Sequence, residues 1–150
     1  MLALAAHAET VRIDAGGATD SNYAPSPGLT YTIPNPPALV TDATMRYGPS
    51  FSYLIPAHNK WPYMVTMGFC EPSYKLVGER VFSVRVNNRV VVDRLDLVAE
   101  GAGFLGCLTR AVVVLASDEA MRIRFDTDRV GRNALVSFIE ITPLFAPSAP

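Results

Sequence analysis

The segment Gly101-Ala-Gly-Phe-Leu-Gly106 matches the G-x-G-x-x-G spacing of a dinucleotide-binding loop. In such a loop the glycines connect a strand to a helix, and the amides at the helix N-terminus hold a pyrophosphate. Here the segment continues as Cys107-Leu-Thr-Arg-Ala-Val-Val-Val, a β-branched run that favours a strand. We therefore interpret the glycines as a turn and predict no cofactor.

Histidine and cysteine chemistry is limited to two residues of each type. His7 lies in the apolar start of the chain, and His58 lies in a polar turn with no recognisable nucleophile motif nearby. The four side chains lack the spacing of a zinc site. Cys70 and Cys107 could form one disulfide or remain buried thiols, and the frequent burial of free cysteine favours the thiols.

Few carboxylates in the sequence are candidates for a catalytic or metal site. Asp126 and Asp128 could bind a structural calcium ion, but no glycine-centred loop with further ligands follows them. Glu71 and Glu100 are the two side chains to inspect for acid–base chemistry, which requires a buried carboxylate with a shifted pKa in a cleft. The sequence therefore predicts no metal site and a protein that is not an enzyme.

Length and charge are typical of one globular domain with an ample core. The chain has 150 residues, of which 49% are hydrophobic and 18% charged, and its net charge is −1. This near-neutral charge argues against nucleic acid as a binding partner. No apolar run approaches the roughly 20 residues of a membrane span. The arginines at 122, 124, 129 and 132 are interpreted as a solvated sheet face.

We expect a tail or signal remnant over 1–10, the domain over 11–143 and a C-terminal linker over 144–150.

Short alternating segments indicate an all-β protein. The expected strands begin after Pro56, and no segment has the apolar period of an amphipathic helix. Asn87-Asn88 is expected to form a tight hairpin, and the Gly- and Pro-rich residues 16–37 are expected to form a long loop or a series of turns. The pattern predicts a two-sheet β-sandwich of jelly-roll or galactose-binding-like type. The predicted strands cover residues 63–69, 80–86, 89–95, 109–115, 120–125 and 136–144.

Aromatic side chains are concentrated in or beside the predicted loops. A sugar ring has an apolar C–H face and a rim of hydroxyl groups, so it binds to an aromatic plate flanked by fixed polar groups. Tyrosine supplies both features and has few rotatable bonds to restrict. The aromatic residues in question are Tyr23, Tyr31, Tyr47, Tyr53, Trp61, Tyr63 and Tyr74.

The order of six segments resembles the malectin family from about Val11 to Thr142. Each segment is moderately specific, and their common order makes the resemblance strong. They are Arg12-Ile-Asp-Ala-Gly-Gly17 (family R-I-N-A-G-G), Met45-Arg-Tyr-Gly-Pro-Ser-Phe-Ser-Tyr-Leu-Ile-Pro56 (R-Y-G…F-S-Y-x-I-P), Val65-Thr-Met-Gly-Phe-Cys-Glu71 (V-x-L-H-F-A-E), Gly78-Glu-Arg-Val-Phe-Ser-Val-Arg-Val-Asn87 (G-x-R-V-F-D-V-x-I-N-G), Asp93-Arg-Leu-Asp-Leu-Val-Ala-Glu100 (D-x-F-D-I-x-A-E) and Asn133-Ala-Leu-Val-Ser-Phe-Ile-Glu-Ile141 (N-P-x-I-S-A-I-E-V).

The resemblance implies a carbohydrate cleft built from loops at one end of the sandwich. Tyr47 matches a sugar-contacting tyrosine of the family, and Tyr23 is expected to supply a second, with Tyr31 as a competitor for that role. Ser73 and Tyr74 occupy the place of two adjacent aromatic residues, and Arg132 occupies the place of a ligand-binding aspartate. Because arginine only donates hydrogen bonds, this exchange alters the sugars that would fit, and an acidic sugar becomes a candidate.

The functional prediction is therefore a non-catalytic carbohydrate-binding module whose partner is an oligosaccharide of glucose type, bound through Tyr23, Tyr47, Ser73, Tyr74 and Arg132. The alternative is a structural or protein-interaction domain of a larger protein that no longer binds sugar. The resemblance favours the endoplasmic reticulum lumen or the extracellular space, or the cytoplasm if the domain is joined to a motor-type protein.

Overall fold

The computed structural model describes residues 9–23, 25 and 27–144. Within these residues the chain forms eleven strands and one short 3-10 helix, Asp20–Tyr23. No helix in this part of the chain is long and apolar enough to cross a membrane. The strands are β1 (Val11–Asp14), β2 (Leu29–Thr32), β3 (Thr44–Gly48), β4 (Ser50–Pro56), β5 (Pro62–Cys70), β6 (Val81–Val86), β7 (Arg89–Asp96), β8 (Cys107–Leu115), β9 (Ala120–Thr127), β10 (Ala134–Val136) and β11 (Phe138–Pro143).

The strands assemble into three antiparallel sheets. One four-stranded sheet has the order β1-β11-β5-β8, and the other has the order β4-β9-β6-β7. A small three-stranded sheet has the order β10-β3-β2. One buried core contains side chains of both larger sheets, and Phe69 of β5 contacts Phe82 of β6 with ring centroids 5.4 Å apart. The predicted all-β sandwich is therefore confirmed.

Alternation along β9 explains how the core is filled. Met121, Ile123 and Phe125 are fully buried, whereas the arginines between them are exposed. Phe125 stacks on Phe51 of the neighbouring β4, with ring centroids 4.9 Å apart. Such cross-strand aromatic pairs fix the register of a sheet as well as filling its core. The inward and outward positions predicted for this strand are confirmed.

The hairpin between β6 and β7 turns at Asn87 and Asn88. Both residues have positive φ, 47° and 70°, as a type I′ turn requires. The flanking residues Val86 and Arg89 pair across the two strands. The sequence-based prediction of a tight turn is thus confirmed at this hairpin.

The N-terminal third contains more strands than the sequence indicated. The prediction of a long loop or a series of turns over 16–37 is wrong at β2, which lies within this range together with the 3-10 helix. All four residues of β2 are exposed, so the strand has no buried face to give its sequence an alternating pattern. Strands β1, β3 and β4, which precede or include Pro56, were not expected either.

The segment predicted as one strand over 136–144 is two strands that belong to different sheets. The chain leaves the small sheet after β10, passes through the buried Ser137, and enters the first large sheet as β11. The amide of Ser137 donates to the Gly68 carbonyl at 2.7 Å, and its hydroxyl accepts from the Cys70 amide at 3.1 Å. These bonds satisfy the polar groups exposed by the change of sheet.

Cys70 and Cys107 form a disulfide, which overturns the expectation of two buried thiols. The two residues are register partners at the end of the β5–β8 pair, with Cα atoms 4.1 Å apart. The expectation failed because burial statistics say nothing about which cysteines face each other. That pairing is decided by strand register.

The Gly101–Gly106 segment is a series of turns followed directly by β8, as predicted. The Gly106 carbonyl accepts from the Glu71 amide at 2.9 Å, and the Leu105 amide donates to the Glu71 carbonyl at 2.7 Å. The turn thus continues the β5–β8 pairing beyond the disulfide. Of the terminal segments predicted over 1–10 and 144–150, residues 1–8 and 145–150 lie outside the described residues, and the proposed domain bounds of 11–143 stay a prediction.

Candidate functional site

A cleft of about 280 Å³ opens between the small sheet and the segment that follows β5. Side chains of β2, β3 and β10 form one wall, and the chain after Glu71 forms the other. The lining residues are Tyr31, Met45, Tyr47, Pro72, Ser73, Tyr74, Arg80, Asn133 and Leu135.

Strand register brings the sheet side of the cleft together. Tyr31 of β2 pairs with Met45 of β3, and Leu135 of β10 pairs with Tyr47 of β3. Tyr47 is half-buried against the core, whereas Tyr31 is 43% exposed. Because Tyr47 lies on the central strand of the small sheet, its backbone is fixed from both sides. The wall therefore presents two tyrosines, one of them on a strand that is paired along both edges.

A buried polar network behind this wall ties the sheet to the 3-10 helix. The Arg46 guanidinium donates from Nε to Asp20 Oδ2 at 3.0 Å and from Nη1 to the Gly28 carbonyl at 3.0 Å. The Tyr53 hydroxyl donates to the other oxygen of Asp20. Burial and the neighbouring Asp20 carboxylate raise the pKa of Tyr53, so its phenol remains a donor. Burial alone would lower the pKa of Arg46, but its hydrogen bond to Asp20 raises it instead.

A second buried ion pair supports the opposite wall. Glu71 is 0% exposed, and Arg80 binds it in two places, from Nε to Oε1 at 2.7 Å and from Nη2 to Oε2 at 3.0 Å. Glu71 Oε2 also accepts from the amides of Ser73 and Tyr74, at 3.0 and 3.1 Å. The remaining Arg80 nitrogen, Nη1, donates to the Asn133 carbonyl at 2.8 Å. This pair therefore holds the backbone that carries Ser73, Tyr74 and Asn133 into the cleft.

Two guanidinium groups lie over the ring of Tyr74. Arg80 lies over its ring at 4.7 Å from the centroid, and Arg132 lies 5.1 Å from the centroid. Arg132 Nη1 also donates to the Tyr74 hydroxyl at 3.1 Å. The part of the ring that Arg80 covers is closed to a ligand, while the contact with Arg132 places that guanidinium beside the cleft.

The structure brings four of the five sequence-predicted residues to this region. Tyr47, Ser73 and Tyr74 line the cleft, and Arg132 contacts Tyr74 beside it. Tyr23, in the 3-10 helix, packs against the core and is not among the lining side chains. Tyr31, its competitor in the sequence analysis, does line the cleft. Sugar contact by any of these residues remains a prediction.

Sequence reasoning missed two residues of the cleft: Arg80, whose guanidinium braces it, and Asn133, whose backbone carbonyl accepts from Arg80. Both lie in segments that carry the family resemblance, and this resemblance is the sequence feature that could have identified them. Their roles depend on contacts across nine and 53 residues of sequence, from Arg80 to Glu71 and to Asn133. Periodicity within a strand carries no information about such contacts.

The two glutamates considered for acid–base chemistry serve other purposes. Both oxygens of Glu71 are engaged by Arg80 and backbone amides, so this carboxylate acts as a brace. Glu100 lies on the surface, where it accepts a hydrogen bond from Arg110. Neither carboxylate lines the cleft.

Solved structures share this fold at low sequence identity. The ectodomain of ANX2 from Arabidopsis thaliana superimposes with a TM-score of 0.76 at 14% identity, covering 91% of this chain and 50% of that one. A structure of the plant peptide RALF23 in complex with FER and LLG2 gives 0.72 at 19% identity, covering 88% and 48%. A β-glucuronidase from Bacteroides uniformis gives 0.72 at 14% identity, covering 91% and 18%. The chain thus spans about half of the plant chains and less than a fifth of the bacterial enzyme.

A search of curated proteins returned no significant match. The family model of the malectin domain matches residues 22–141, which is most of the chain and includes every residue that lines the cleft. Proteins with this domain include receptor-kinase ectodomains, and the domain is in general a non-catalytic binding module. The chain described here belongs to the malectin-domain family.

Proposed function

We propose that this domain is a non-catalytic carbohydrate-binding module that holds part of an oligosaccharide in the cleft between Tyr47 and Tyr74. The observation that carries the proposal is the meeting of two tyrosines on one sheet wall with a braced polar segment opposite. A sugar needs both features, since its C–H face packs on a ring and its hydroxyl groups require fixed partners.

Tyr47 and Tyr31 are the stacking surfaces in this proposal. Tyr47 sits on a strand paired along both edges, so little conformational freedom remains to be lost when a ligand binds. Tyr31 is more exposed and extends the same wall from β2. Tyr74 contributes its hydroxyl and its uncovered ring edge, because Arg80 already occupies part of the ring.

Arg132 determines which sugars fit best. It has no carboxylate partner among the described side chains, and its Nη1 is directed to the Tyr74 hydroxyl. A guanidinium donates hydrogen bonds and accepts none, so it selects ligand oxygens that act as acceptors. A sugar carboxylate would match it in charge and geometry. We therefore expect an acidic residue within the oligosaccharide to bind better than the neutral glucose-type ligand implied by the family resemblance.

Affinity should be modest. The cleft volume of about 280 Å³ lies just below the 300–1,000 Å³ usual for small-molecule sites, so one or two sugar units at most are enclosed. Polar groups on the sugar must also lose water before they bind. Weak binding to one site, strengthened by repetition along a polymer, is the expected behaviour.

A glycan array followed by calorimetry tests the proposal with a small set of variants. Tyr31→Ala and Tyr47→Ala should each weaken binding about tenfold, the loss expected for one stacking contact of 1–1.5 kcal/mol. Phe104→Ala is the matched control, because Phe104 is an exposed aromatic residue outside the cleft. Tyr31→Ala should leave the melting temperature unchanged, which keeps the test valid if Tyr47→Ala lowers stability. Equal binding by all variants would exclude the cleft as the sugar site.

One observation favours a second candidate, a protein-interaction domain. Strands β7 and β8 are each an edge strand of one large sheet, and a groove of about 480 Å³, lined mainly by residues of these two strands, lies between them. Val113 and Leu115 are 61% and 66% exposed there. An extended segment of a partner polypeptide could add to such an edge. Failure of every glycan to bind, together with peptide binding that Val113→Arg abolishes, would establish this candidate instead.

A further inference from the structure

We propose that one end of the sandwich docks on an anionic lipid bilayer, with exposed apolar side chains from three loops entering one leaflet without crossing it. The centre of this surface is the apolar tip, defined as Leu76, Val77, Phe104 and Val130. None of these residues lines the cleft or the groove beside β7 and β8, and the proposal does not depend on sugar binding.

Strand register places the three loops at the same end of the sandwich. The loop over 71–80 joins β5 to β6, the loop over 97–106 joins β7 to β8, and the loop over 128–133 joins β9 to β10. The strand ends that flank these loops are register partners, so the loops leave the sheets side by side. The partners are Cys70 with Cys107, Val81 with Asp96, and Phe82 with Thr127. The apolar tip therefore gathers side chains from three distant parts of the sequence.

Contacts between the loops hold them together as one surface. Lys75 Nζ lies over the Phe104 ring, 4.9 Å from its centroid, and so joins the first loop to the second. The Gly78 amide donates to Asp96 Oδ2 at 2.7 Å, directly before the second loop. A Cβ at Gly78 would lie 3.0 Å from Arg129 Nη2, so the third loop also packs against the first. A flat partner surface could therefore meet all three loops at once.

The side chains of the apolar tip are exposed although they are large and hydrophobic. Leu76 is 67% exposed, Val77 68% and Val130 105%, and Phe104 is 46% exposed. The turn that carries Leu76 and Val77 is nonetheless fixed, because the Leu76 amide donates to Glu79 Oε1 at 3.0 Å. Single exposed hydrophobic residues are common on protein surfaces, whereas a group of them on adjoining loops marks a site of interaction.

Two cations without a carboxylate partner accompany the apolar tip. Among the described residues, neither Lys75 nor Arg129 forms an ion pair. The carboxylates of the three loops, in contrast, are already engaged. Their partners are Arg80 for Glu71, the Leu76 amide for Glu79, Arg110 for Glu100 and Arg94 for Asp128. The headgroups of anionic lipids would supply the negative charge that Lys75 and Arg129 lack.

A bilayer fits this surface better than a folded protein partner. Protein–protein interfaces are enriched in tyrosine, tryptophan and arginine and depleted in lysine. The apolar tip is aliphatic at three of its four positions, and Lys75 lies against it. Membrane surfaces instead bind apolar side chains that reach the acyl chains, together with basic side chains that stay at the headgroups. Recruitment by charge alone uses about four to eight basic residues, so insertion of the apolar tip must supply much of the affinity.

Co-sedimentation of the whole chain with lipid vesicles tests the proposal. The vesicles contain phosphatidylcholine alone or phosphatidylcholine with phosphatidylserine, and we expect the chain to bind the second kind more tightly. Leu76→Ser/Val77→Ser should weaken binding about a hundredfold, a factor of about ten for each apolar side chain that no longer enters the bilayer. Lys75→Gln/Arg129→Gln should lose about fivefold for each cation, and only on the vesicles with phosphatidylserine.

Val113→Ser/Leu115→Ser is the matched control, because it removes two apolar side chains that are 61% and 66% exposed on β8. This variant should keep wild-type binding to vesicles. Tyr31→Ala should keep it as well, which separates the apolar tip from the cleft. All of these variants should melt near the wild-type temperature, since the substituted side chains are exposed.

Tryptophan fluorescence identifies the residues that enter the bilayer. The single tryptophan of the chain, Trp61, precedes β5 and so lies at the opposite end of the sandwich. The emission of Val77→Trp should shift to the blue on vesicles, and that of Val113→Trp should not. Unchanged emission of Val77→Trp, equal losses of binding in the control pair, or no binding of the wild type to vesicles would each overturn the proposal. Self-association that Leu76→Ser/Val77→Ser abolishes, without vesicle binding, would also overturn it and assign the apolar tip to a second copy of the chain.

Discussion

Replacing Glu71 by glutamine should destabilise the domain strongly. The substitution keeps the shape of the side chain but removes the charge that neutralises Arg80, whose side chain is only 7% exposed. One of the two acceptor oxygens is also lost, and those oxygens bind Arg80 and two backbone amides. The change therefore leaves a buried cation without its partner and loosens the segment that carries Tyr74.

The size of the effect follows from burial. Removing one partner of a buried ion pair costs about 3–5 kcal/mol, because the other charge remains uncompensated. For a domain of this length, each kcal/mol lowers the melting temperature by roughly 2–4 °C. The melting temperature should therefore fall by about 6–20 °C. The underlying cost of about 3–5 kcal/mol is a large part of the roughly 5–15 kcal/mol that stabilises a typical domain.

Glu100→Gln is the matched control, since it makes the same substitution in an ion pair at the surface. The side chains of Glu100 and Arg110 are 49% and 35% exposed, and such pairs contribute about 0–1 kcal/mol. Urea unfolding at neutral pH, followed by circular dichroism, measures both variants. A difference of less than 1 kcal/mol between Glu71→Gln and Glu100→Gln would refute the assignment of Glu71 as a buried brace.

Two further predictions concern the covalent link and the backbone. Replacing Cys70 and Cys107 together by alanine should lower the free energy of unfolding by about 4 kcal/mol, because the loop-closure entropy of a 37-residue separation is lost. A reducing agent should destabilise the wild type and leave the double variant unchanged. If neither the substitution nor the reducing agent lowered stability, the disulfide would be contradicted. Gly16→Ala should destabilise far more than Gly131→Ala, although both glycines have a φ of 77°. A Cβ at Gly16 would lie 2.4 Å from the Met45 carbonyl oxygen, whereas nothing lies within 4 Å of one at Gly131. Thermal unfolding should show that Gly131→Ala lowers the free energy of unfolding by about 1–2 kcal/mol, the usual cost of a left-handed conformation. Equal losses in Gly16→Ala and Gly131→Ala would contradict the close contact at Gly16.

Sequence reasoning succeeded where information is local. The alternation of β9 and the Asn87-Asn88 turn depend on side-chain period and backbone preference, which neighbouring residues decide. It failed at β2, whose residues are all exposed and therefore lack a pattern. It also failed at Ser137, where a change of sheet divides what the sequence presents as one apolar segment.

The sequence alone determined that the protein is a β-sandwich of the malectin family, because strand periodicity and the order of short motifs are properties of the chain itself. The tertiary structure decided the rest. The Cys70–Cys107 link joins two strands, and the Glu71–Arg80 brace joins the two ends of the loop between β5 and β6. Such contacts depend on register and sheet order, which are set by the packing of the whole core and not by the spacing of residues along the chain.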